Sequence, residues 1–483
     1  IGNKIHIGSR RKVILGSKVN LSPPTNLTFD TPSDVRIDLT YNAVTGATSY
    51  DIEKSSDNVT YTTLANTENT AYADTGLTKG SLYYYRVRAC RGTIKSQFTT
   101  PIQARTAVYV SLTGTDATGS GASATPYATI NYALGRLTVK VGKIIVKAGD
   151  YVDMTTDYTK TGNIKIVGEN RETVRMLYGT RYTTATLVDG YTKVYKATGT
   201  SVESYAYELW QHDIPDISTA ITEGERRSIH RGLTYRLTST RLMRVASVQA
   251  VEDATTLAFY VDGTDLYFSK SPNSDLTVNP IIKPVWNYIL TGRYVAIENM
   301  TLLYRPMILN GCTGYMKNVS VKYNNYTSIS VGTTSVITLD NCEGAASHED
   351  GFGYTASANC SEINCWAHSN LDEGSSGHET TTISRTDGLY EYNFCGITDV
   401  GQALSTLLRT VCINNLDDAG YIFTYYKTGE NDGGQSVLTD CVGGTYRAQI
   451  TGAGTADTVR CYLYRCYGTI TDNATLEIVE PYI

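Results

Sequence analysis

The chain has 483 residues, more than one ordinary globular core accommodates, so several domains or one repetitive domain are expected. Its 42 Lys and Arg against 47 Asp and Glu leave a net charge of -5, without the basic stripe that a nucleic-acid binder needs. No apolar run reaches bilayer-spanning length, and the opening IGNKIHIGSRRKVILG is too interrupted by charge to read as a secretory signal peptide. Tyrosine is abundant (38 against 7 Phe), as are Gly (42), Thr, Val and Ser, a usage that favours strands and turns and predicts an all-β protein.

Residues 1–20 read as a linker or attachment segment. From 21 to 106 short alternating strands (VRIDLTYNAV, TSYDIEKSSD, LTKGSLYYYRVRAC) are joined by Gly, Asn and Asp turns, the pattern of a β-sandwich. The block resembles a fibronectin type III domain. Leu77 and Tyr83 fall where that family has its E–F leucine and corner tyrosine, and Tyr85, Val87 and Ala89 continue the inward face. Tyr41 stands where the family usually carries a core Trp. The resemblance implies a spacer or binding module without chemistry of its own.

From about residue 107 the character changes. The segment VYVSLTGTDATGSGASATPYATINYALGRLTVKVGKIIVKAGDY reads as strand, Gly/Ser/Thr loop, short helix over 126–136, strand and turn. It resembles the opening of pectate-lyase-like parallel β-helix proteins, through Gly114-Thr115-Asp116, Thr125-Pro126 and the run Ile145 to Tyr151. Further on, IKIVGEN, VAIENMTLLY, MKNVSVKYNN, ITLDNCEG and EINCWAHS recur. Asn299, Asn318, Asn341 and Asn364 stand 19, 23 and 23 residues apart at equivalent points. A period in the low twenties made of short strands is a solenoid signature, each coil adding about 4.8 Å. The resemblance makes it a right-handed parallel β-helix over 107–483. Between about 178 and 290 the period is lost, which marks an inserted β-rich segment with a hairpin turn at Asp262-Gly263. The insertion carries Arg226, Arg227, His230 and Arg231, a candidate anion or sugar contact or simply a solvated loop face.

Nine of the ten Cys lie beyond residue 311. Six of them, Cys342, Cys365, Cys395, Cys412, Cys441 and Cys466, recur in similar contexts at intervals of 23, 30, 17, 29 and 25. That spacing predicts one buried thiol per coil rather than disulfides. No CxxC pair is present at zinc-ligand spacing.

Two acid pairs repeat in register. Glu349-Asp350-Gly351 stands at +7 to +9 from Cys342, and Asp372-Glu373-Gly374 at +7 to +9 from Cys365. Stacked coils would put Glu349 over Asp372 and Asp350 over Glu373, about one strand spacing apart. Four carboxylates so close repel, and at least one must hold its proton unusually tightly. No Lys or Arg occurs from residue 323 to 384, whereas His348, His368 and His378 lie in that window. Paired carboxylates can serve as acid and base or nucleophile in glycoside hydrolysis, but stacked Asp-Gly turns or a bound Ca²⁺ would also account for them. No other cofactor is indicated.

The acid motifs partly resemble those of β-helix polygalacturonases, which carry Asn-Thr-Asp-Gly, an Asp-Asp pair about one coil later, and Gly-His. Glu349-Asp350-Gly351, Asp372-Glu373 and Gly377-His378 are the matching residues. His378 follows the acids too closely for that family, and its later Arg-x-Lys element is not recognisable. The segment SHEDGFGYTASANCSEINCWAHSNLDEGSSGHETT also resembles stretches of bacteriophage tail and prophage β-helix proteins. That resemblance implies a homotrimeric virion tail spike that binds, and by hydrolysis cleaves, a bacterial surface polysaccharide, joined to other tail proteins by its N-terminal part. Two alternatives stay open: a non-enzymatic glycan-binding adhesin, and a secreted bacterial hydrolase or lyase, the lyase disfavoured here by the Lys/Arg gap. The catalytic candidates are Glu349, Asp350, Asp372, Glu373 and His378. The substrate-binding candidates are His348, Tyr354, Trp366, His368, Arg385, Tyr390 and Tyr425, with Tyr392 and Tyr426 as further groove aromatics. Asp417-Asp418-Ala419-Gly420 reads as a weaker acidic echo or a turn.

Overall fold

The computed structural model describes residues 20–137, 141–151, 163–197, 209–212, 239–263, 265–271, 275–277, 280–284, 289–413, 415, 421–426, 435–451, 460–472 and 476–478. The acidic echo at 417–420, the Arg226–Arg231 cluster and nearly all of the first 20 residues fall outside these, as do the side chains of Tyr425 and Tyr426. The chain divides into two compact units, Ile1–Ala107 and Val108–Ile483.

In the first unit, antiparallel strands Thr28–Ser33, Arg36–Thr40 and Ala71–Thr75 form one sheet. Thr62–Thr67, Ser49–Ser55, Leu82–Arg91, Ile94–Lys95 and Ile102–Arg105 form the other. Alternation on the long strand buries Tyr85, Val87 and Ala89 against Ile37, Leu39 and Ile52. Tyr83 acts as the expected corner residue: its hydroxyl accepts the Thr78 N–H at 2.9 Å, and Leu77 is buried beside it. Tyr41 fills the Trp position edge-on to Tyr50, ring centroids 5.0 Å apart, and donates its hydroxyl to the Asn69 carbonyl.

The second unit is a parallel β-solenoid of about nine turns. Its first strand, Val108–Val110, pairs with Val141–Val146, which pairs with Asn163–Gly168. The helix is shorter than expected, Ile130–Arg136, because Tyr127 forms a bridge to Val110. Thr129 then caps the helix, its side chain accepting the Tyr132 N–H. After Tyr178 the chain departs into an eight-stranded sheet running from Thr180–Tyr182 to Ile281–Lys283. Its hairpin turns one residue later than expected, since Asp262 still pairs with Asp265 and Gly263 takes the left-handed φ of 58°. The solenoid ladder continues across this excursion: Ile166 pairs directly with Ile297. The insertion is therefore a branch between two adjacent coils.

From Thr313 the coils keep a constant offset of 23 residues for three successive steps, through Val336, Asn359 and Thr382. The next step, to Leu404, is 22. Corner residues take left-handed backbone, which Asn tolerates best among non-glycine residues. Asn299, Asn318, Asn341 and Asn364 have φ of 53° to 56° and stack: Asn318 Nδ2 donates to Asn299, and Asn341 Nδ2 to Asn318. The same corner then changes chemistry, because Asp387, Arg409, Asp440 and Arg465 follow in the column as two ion pairs, Arg409–Asp387 and Arg465–Asp440.

Nine cysteines are free, eight of them buried, in line with thiols rather than disulfides among the described residues. Two of the expected rungs are misplaced, however. The column of Cys342 and Cys365 continues through Gly388 and Thr410 before Cys441 and Cys466. Cys412 instead pairs beside Tyr390, and Cys395 beside Glu373. A side chain at Gly388 would collide with the Tyr390 ring, which explains the missing rung.

A second asparagine column, which sequence reading missed, runs inside the next corner. Asn370 Nδ2 donates to Gly344 O (3.2 Å) and Asn393 Oδ1 (2.8 Å), and its Oδ1 accepts from Ser347 N–H and Oγ–H. Asn393 repeats the pattern with Ala367 O and Asn415. Replacing Asn370 with Ala would strand several buried groups at once. Asn370→Ala should destabilise the solenoid by about 3 kcal/mol, measured as a fall in its denaturation midpoint, whereas no change would mean that the column is incidental.

Candidate active site: a carboxylate cluster on two coils

The second asparagine column ends each corner just ahead of the acids: Ser347 precedes His348-Glu349-Asp350, and Asn370 precedes Leu371-Asp372-Glu373. With the 23-residue offset held by Gly351 N–H to Glu373 O (3.0 Å) and Leu371 N–H to Ser347 O (3.1 Å), the two pairs stack in register. Oxygens of Asp350, Asp372 and Glu373 all lie within 4.8 Å of one another. Close coil approach needs the glycines that follow: a Cβ at Gly351 or Gly374 would sit 2.7 or 2.6 Å from the carbonyl oxygen of the next coil.

Asp350 is the buried member, 8% exposed. Its carboxylate accepts Ser376 Oγ–H at 2.9 Å, the Glu373 N–H at 3.3 Å and Thr327 Oγ–H at 3.4 Å. Because Ser376 donates to Asp350, the 2.9 Å contact between Ser376 Oγ and His378 Nε2 makes the imidazole the donor. His378 is thereby tied to the cluster through Ser376. Glu349, Asp372 and Glu373 are half-buried and face outward, with Thr327 also donating to Glu349 at 3.3 Å.

Burial dominates the protonation of all four acids, and like charge adds to it. Asp350 is pushed up to about 6 by burial and by the charges of Asp372 and Glu349, its hydrogen bonds opposing. Asp372 rises to about 6 through burial and Glu373, with His378 and His348 pulling the other way. Glu373 reaches about 7 through burial and its contact with Asp350. Glu349 is raised by burial and, after the opposing effects of Thr327 and His348, by Asp372. The Tyr326 phenol, one coil before Glu349, is raised by burial and by the charges of Glu349 and Asp350. At neutral pH the cluster therefore holds a proton among closely spaced oxygens.

Other candidates lie elsewhere. Tyr354, Tyr390 and Arg385 are wholly buried inside the solenoid rather than in a groove. There the Glu362 carboxylate accepts Tyr354 Oη–H (2.9 Å), Tyr390 Oη–H (2.6 Å) and Ser375 Oγ–H (2.7 Å). Arg385 bridges Glu362 and, in bidentate fashion, Asp399. Burial alone would lower the Arg385 pKa, but the two carboxylates outweigh it and keep the guanidinium charged. Trp366 and His368 belong to a separate cluster on an adjoining outer face, stacked at 4.0 Å. His368 Nε2 meets Glu343 at 3.0 Å, Trp366 Nε1–H donates to Glu391, and Lys322 pairs with Glu343 at 2.7 Å.

Sequence reading missed Thr327, Ser376 and Tyr326. Counting back 23 residues from Glu349 and Asp350 lands on Tyr326 and Thr327, so the coil period contained that signal. The three clustered oxygens have the spacing to hold a cation, but taken one per residue they supply at most half of the six to eight oxygens that Ca²⁺ takes.

No protein-family model and no curated protein matches the chain. Solved structures match its N-terminal part. They include the crystal structure of FN3tt (25% identity, 18% of this chain and 94% of that one, TM-score 0.17). A Fn3-like protein from Clostridium thermocellum matches at 32% identity over 17% of this chain and 90% of its own, TM-score 0.17. The fn3 domain of human collagen alpha-1(XX) matches at 27% identity over 19% and 91%, TM-score 0.17. Scores that low support no functional inference, and the class rests on the strands themselves. The chain is an all-β protein in which a fibronectin type III-like sandwich precedes a parallel β-solenoid that carries an acidic cluster.

The raised acids have a consequence for stability. Folding lifts Asp350 and Asp372 from 3.8 to about 6 and Glu373 from 4.5 to about 7. The folded state thus binds more protons than the unfolded one between about pH 4 and 7, and stability falls as pH rises through that window. Asp350→Asn should leave stability near pH 4 unchanged and raise it at pH 8 by about 1–3 kcal/mol. Thermal melts across this range provide the check. A wild-type profile that is flat, or that rises with pH, contradicts the cluster.

Proposed function

We propose that the protein is a glycan-binding β-helix that hydrolyses a bacterial cell-surface polysaccharide at the carboxylate cluster. The observation that carries this reading is the meeting of Asp350, Asp372 and Glu373 from two coils within 4.8 Å, with Glu373 pushed up to about 7. Glu373 is suited to general acid work, because an acid with a pKa near the working pH is both protonated and able to give up its proton. Asp372, half-buried and more acidic, is suited to attack. Asp350, buried and bonded by Ser376, fixes the proton on Glu373 and acts through it.

In the first step Asp372 forms a bond to the anomeric carbon as the glycosidic C–O bond breaks, and Glu373 transfers its proton to the departing oxygen. In the second, Glu373 takes a proton from water, whose oxygen bonds the anomeric carbon and releases Asp372. Inverting hydrolysis needs carboxyls about 6.5–9.5 Å apart to admit a water, and retaining hydrolysis about 5–5.5 Å. Oxygens within 4.8 Å favour the retaining route.

The reading extends to a bacteriophage tail spike, a homotrimer held to other tail proteins through its N-terminal part. Support comes from the likeness of residues 347–381 to tail and prophage β-helix proteins and from the fibronectin type III-like unit ahead of the solenoid. Glu373→Gln should cut reducing-sugar release from a susceptible capsular or surface polysaccharide by at least about a thousandfold while the polymer stays bound. Product NMR should show retained anomeric configuration. A polymer that is bound but never cleaved by the wild type would make the protein an adhesin.

A further inference from the structure

We propose that this cluster is built for an uncharged glycan, laid along the solenoid axis, with Phe394 as its stacking platform and Thr398 as a hydroxyl contact. The inference deepens the hydrolase reading and shares its site. Three observations converge on it.

The first is charge. Between Thr313 and Ile413 the chain contains four basic residues apart from histidine: Lys317, Lys322, Arg385 and Arg409. Each is tied to an acid, Lys317 to Asp340, Lys322 to Glu343, Arg385 to Glu362 and Asp399, and Arg409 to Asp387. Glu349, Asp350, Asp372 and Glu373 have no Lys or Arg partner among the described residues. A polymer of uronates, sulfates or phosphates would meet repulsion here, and every described Lys and Arg on these coils is already held by an acid.

The second is apolar exposure beside the acids. Phe394 is 44% and Leu371 49% exposed. Leu371 precedes Asp372 in the chain, and Phe394 donates its N–H to the Asp372 carbonyl at 2.9 Å from the next coil. Tyr326 stands on the other side of the acids, near Glu349 and Asp350. From the Tyr326 coil to the Phe394 coil is three steps, about 14 Å along the axis. Aromatic faces on either side of a carboxylate cluster suit the apolar faces of sugar rings, and a chain stacked on both runs parallel to the axis.

The third is polar. Thr398 Oγ1 and Asn325 Oδ1 have no hydrogen-bond partner among the described residues, and their residues are 8% and 7% exposed. Thr398 pairs in register with Ser376 and presents the same face, the one from which Ser376 reaches Asp350. Asn325 directly precedes Tyr326. Buried polar atoms are rarely left unpaired, and a ring hydroxyl would supply the missing partner at Thr398.

The test is an array of bacterial capsular and O-polysaccharides of known repeat, probed with wild type and with Glu373→Gln, and with each acidic polymer present both native and carboxyl-reduced. Binding is expected to uncharged repeats and to reduced forms, and not to native acidic ones. Phe394→Ala and Thr398→Val should each weaken it roughly tenfold without shifting the melting temperature. Binding that prefers native acidic repeats, no binding to any polymer, or unchanged affinity in both variants overturns the proposal. An uncharged polymer that is bound and never cleaved removes the hydrolase reading and leaves this one standing. Cleavage of an acidic polymer does the reverse.

Discussion

The parallel hydrogen-bond ladder, locked at one coil length, is the constraint on which everything else in the solenoid depends. From Thr313 to His368 each paired strand residue finds its partner 23 positions on. Side chains alternate between inside and outside along a strand, so a slip of one residue would turn the interior outward and separate the two acid pairs. Constant coil length is thus both a folding rule and the means by which carboxylates distant in sequence come within reach. The site sits on the coils where that length does not vary.

The corners enforce this length. The outer Asn column satisfies a left-handed turn, and in the inner column Asn370 and Asn393 tie their corners to carbonyls of the coil before, with Ser347 joined to the column through Asn370. The inner column immediately precedes the acids, so the backbone that presents them is among the best anchored in the solenoid. A rigid mount lets four carboxyls be held together and partly sunk, so that burial, and the repulsion a mobile loop would relieve by moving apart, appear as retained protons. The interior network of Glu362, Arg385 and Asp399 backs the same strands, since Ser375 bonds Glu362 from the residue next to Ser376.

The solenoid was legible because its period is written in residues chosen for backbone reasons, Asn at left-handed corners above all. The register of Glu349 with Asp372 and of Asp350 with Glu373 followed from the same period. The interior polar groups were not legible from residue type, because charged and phenolic side chains are usually outside. Strand parity is the better guide: Arg385 shares its face with the buried Ile383, as Tyr354 does with Phe352. The thiol column was overread, since similar local contexts around Cys395 and Cys412 come from different strands of the coil. The inner Asn column escaped notice because a serine interrupts it and its residues look like ordinary turn composition.

The corner that passes from amides to ions also sets how this chain can change in length. Stacked Asn residues donate and accept alike, so a coil added to or lost from that stretch leaves the column intact. Beyond it the column alternates Asp387, Arg409, Asp440 and Arg465. Losing the Arg409 coil would set Asp387 against Asp440, like charges directly opposed on neighbouring strands. The first part of the solenoid can therefore vary by single coils during evolution, whereas the second is constrained to lengthen or shorten in pairs.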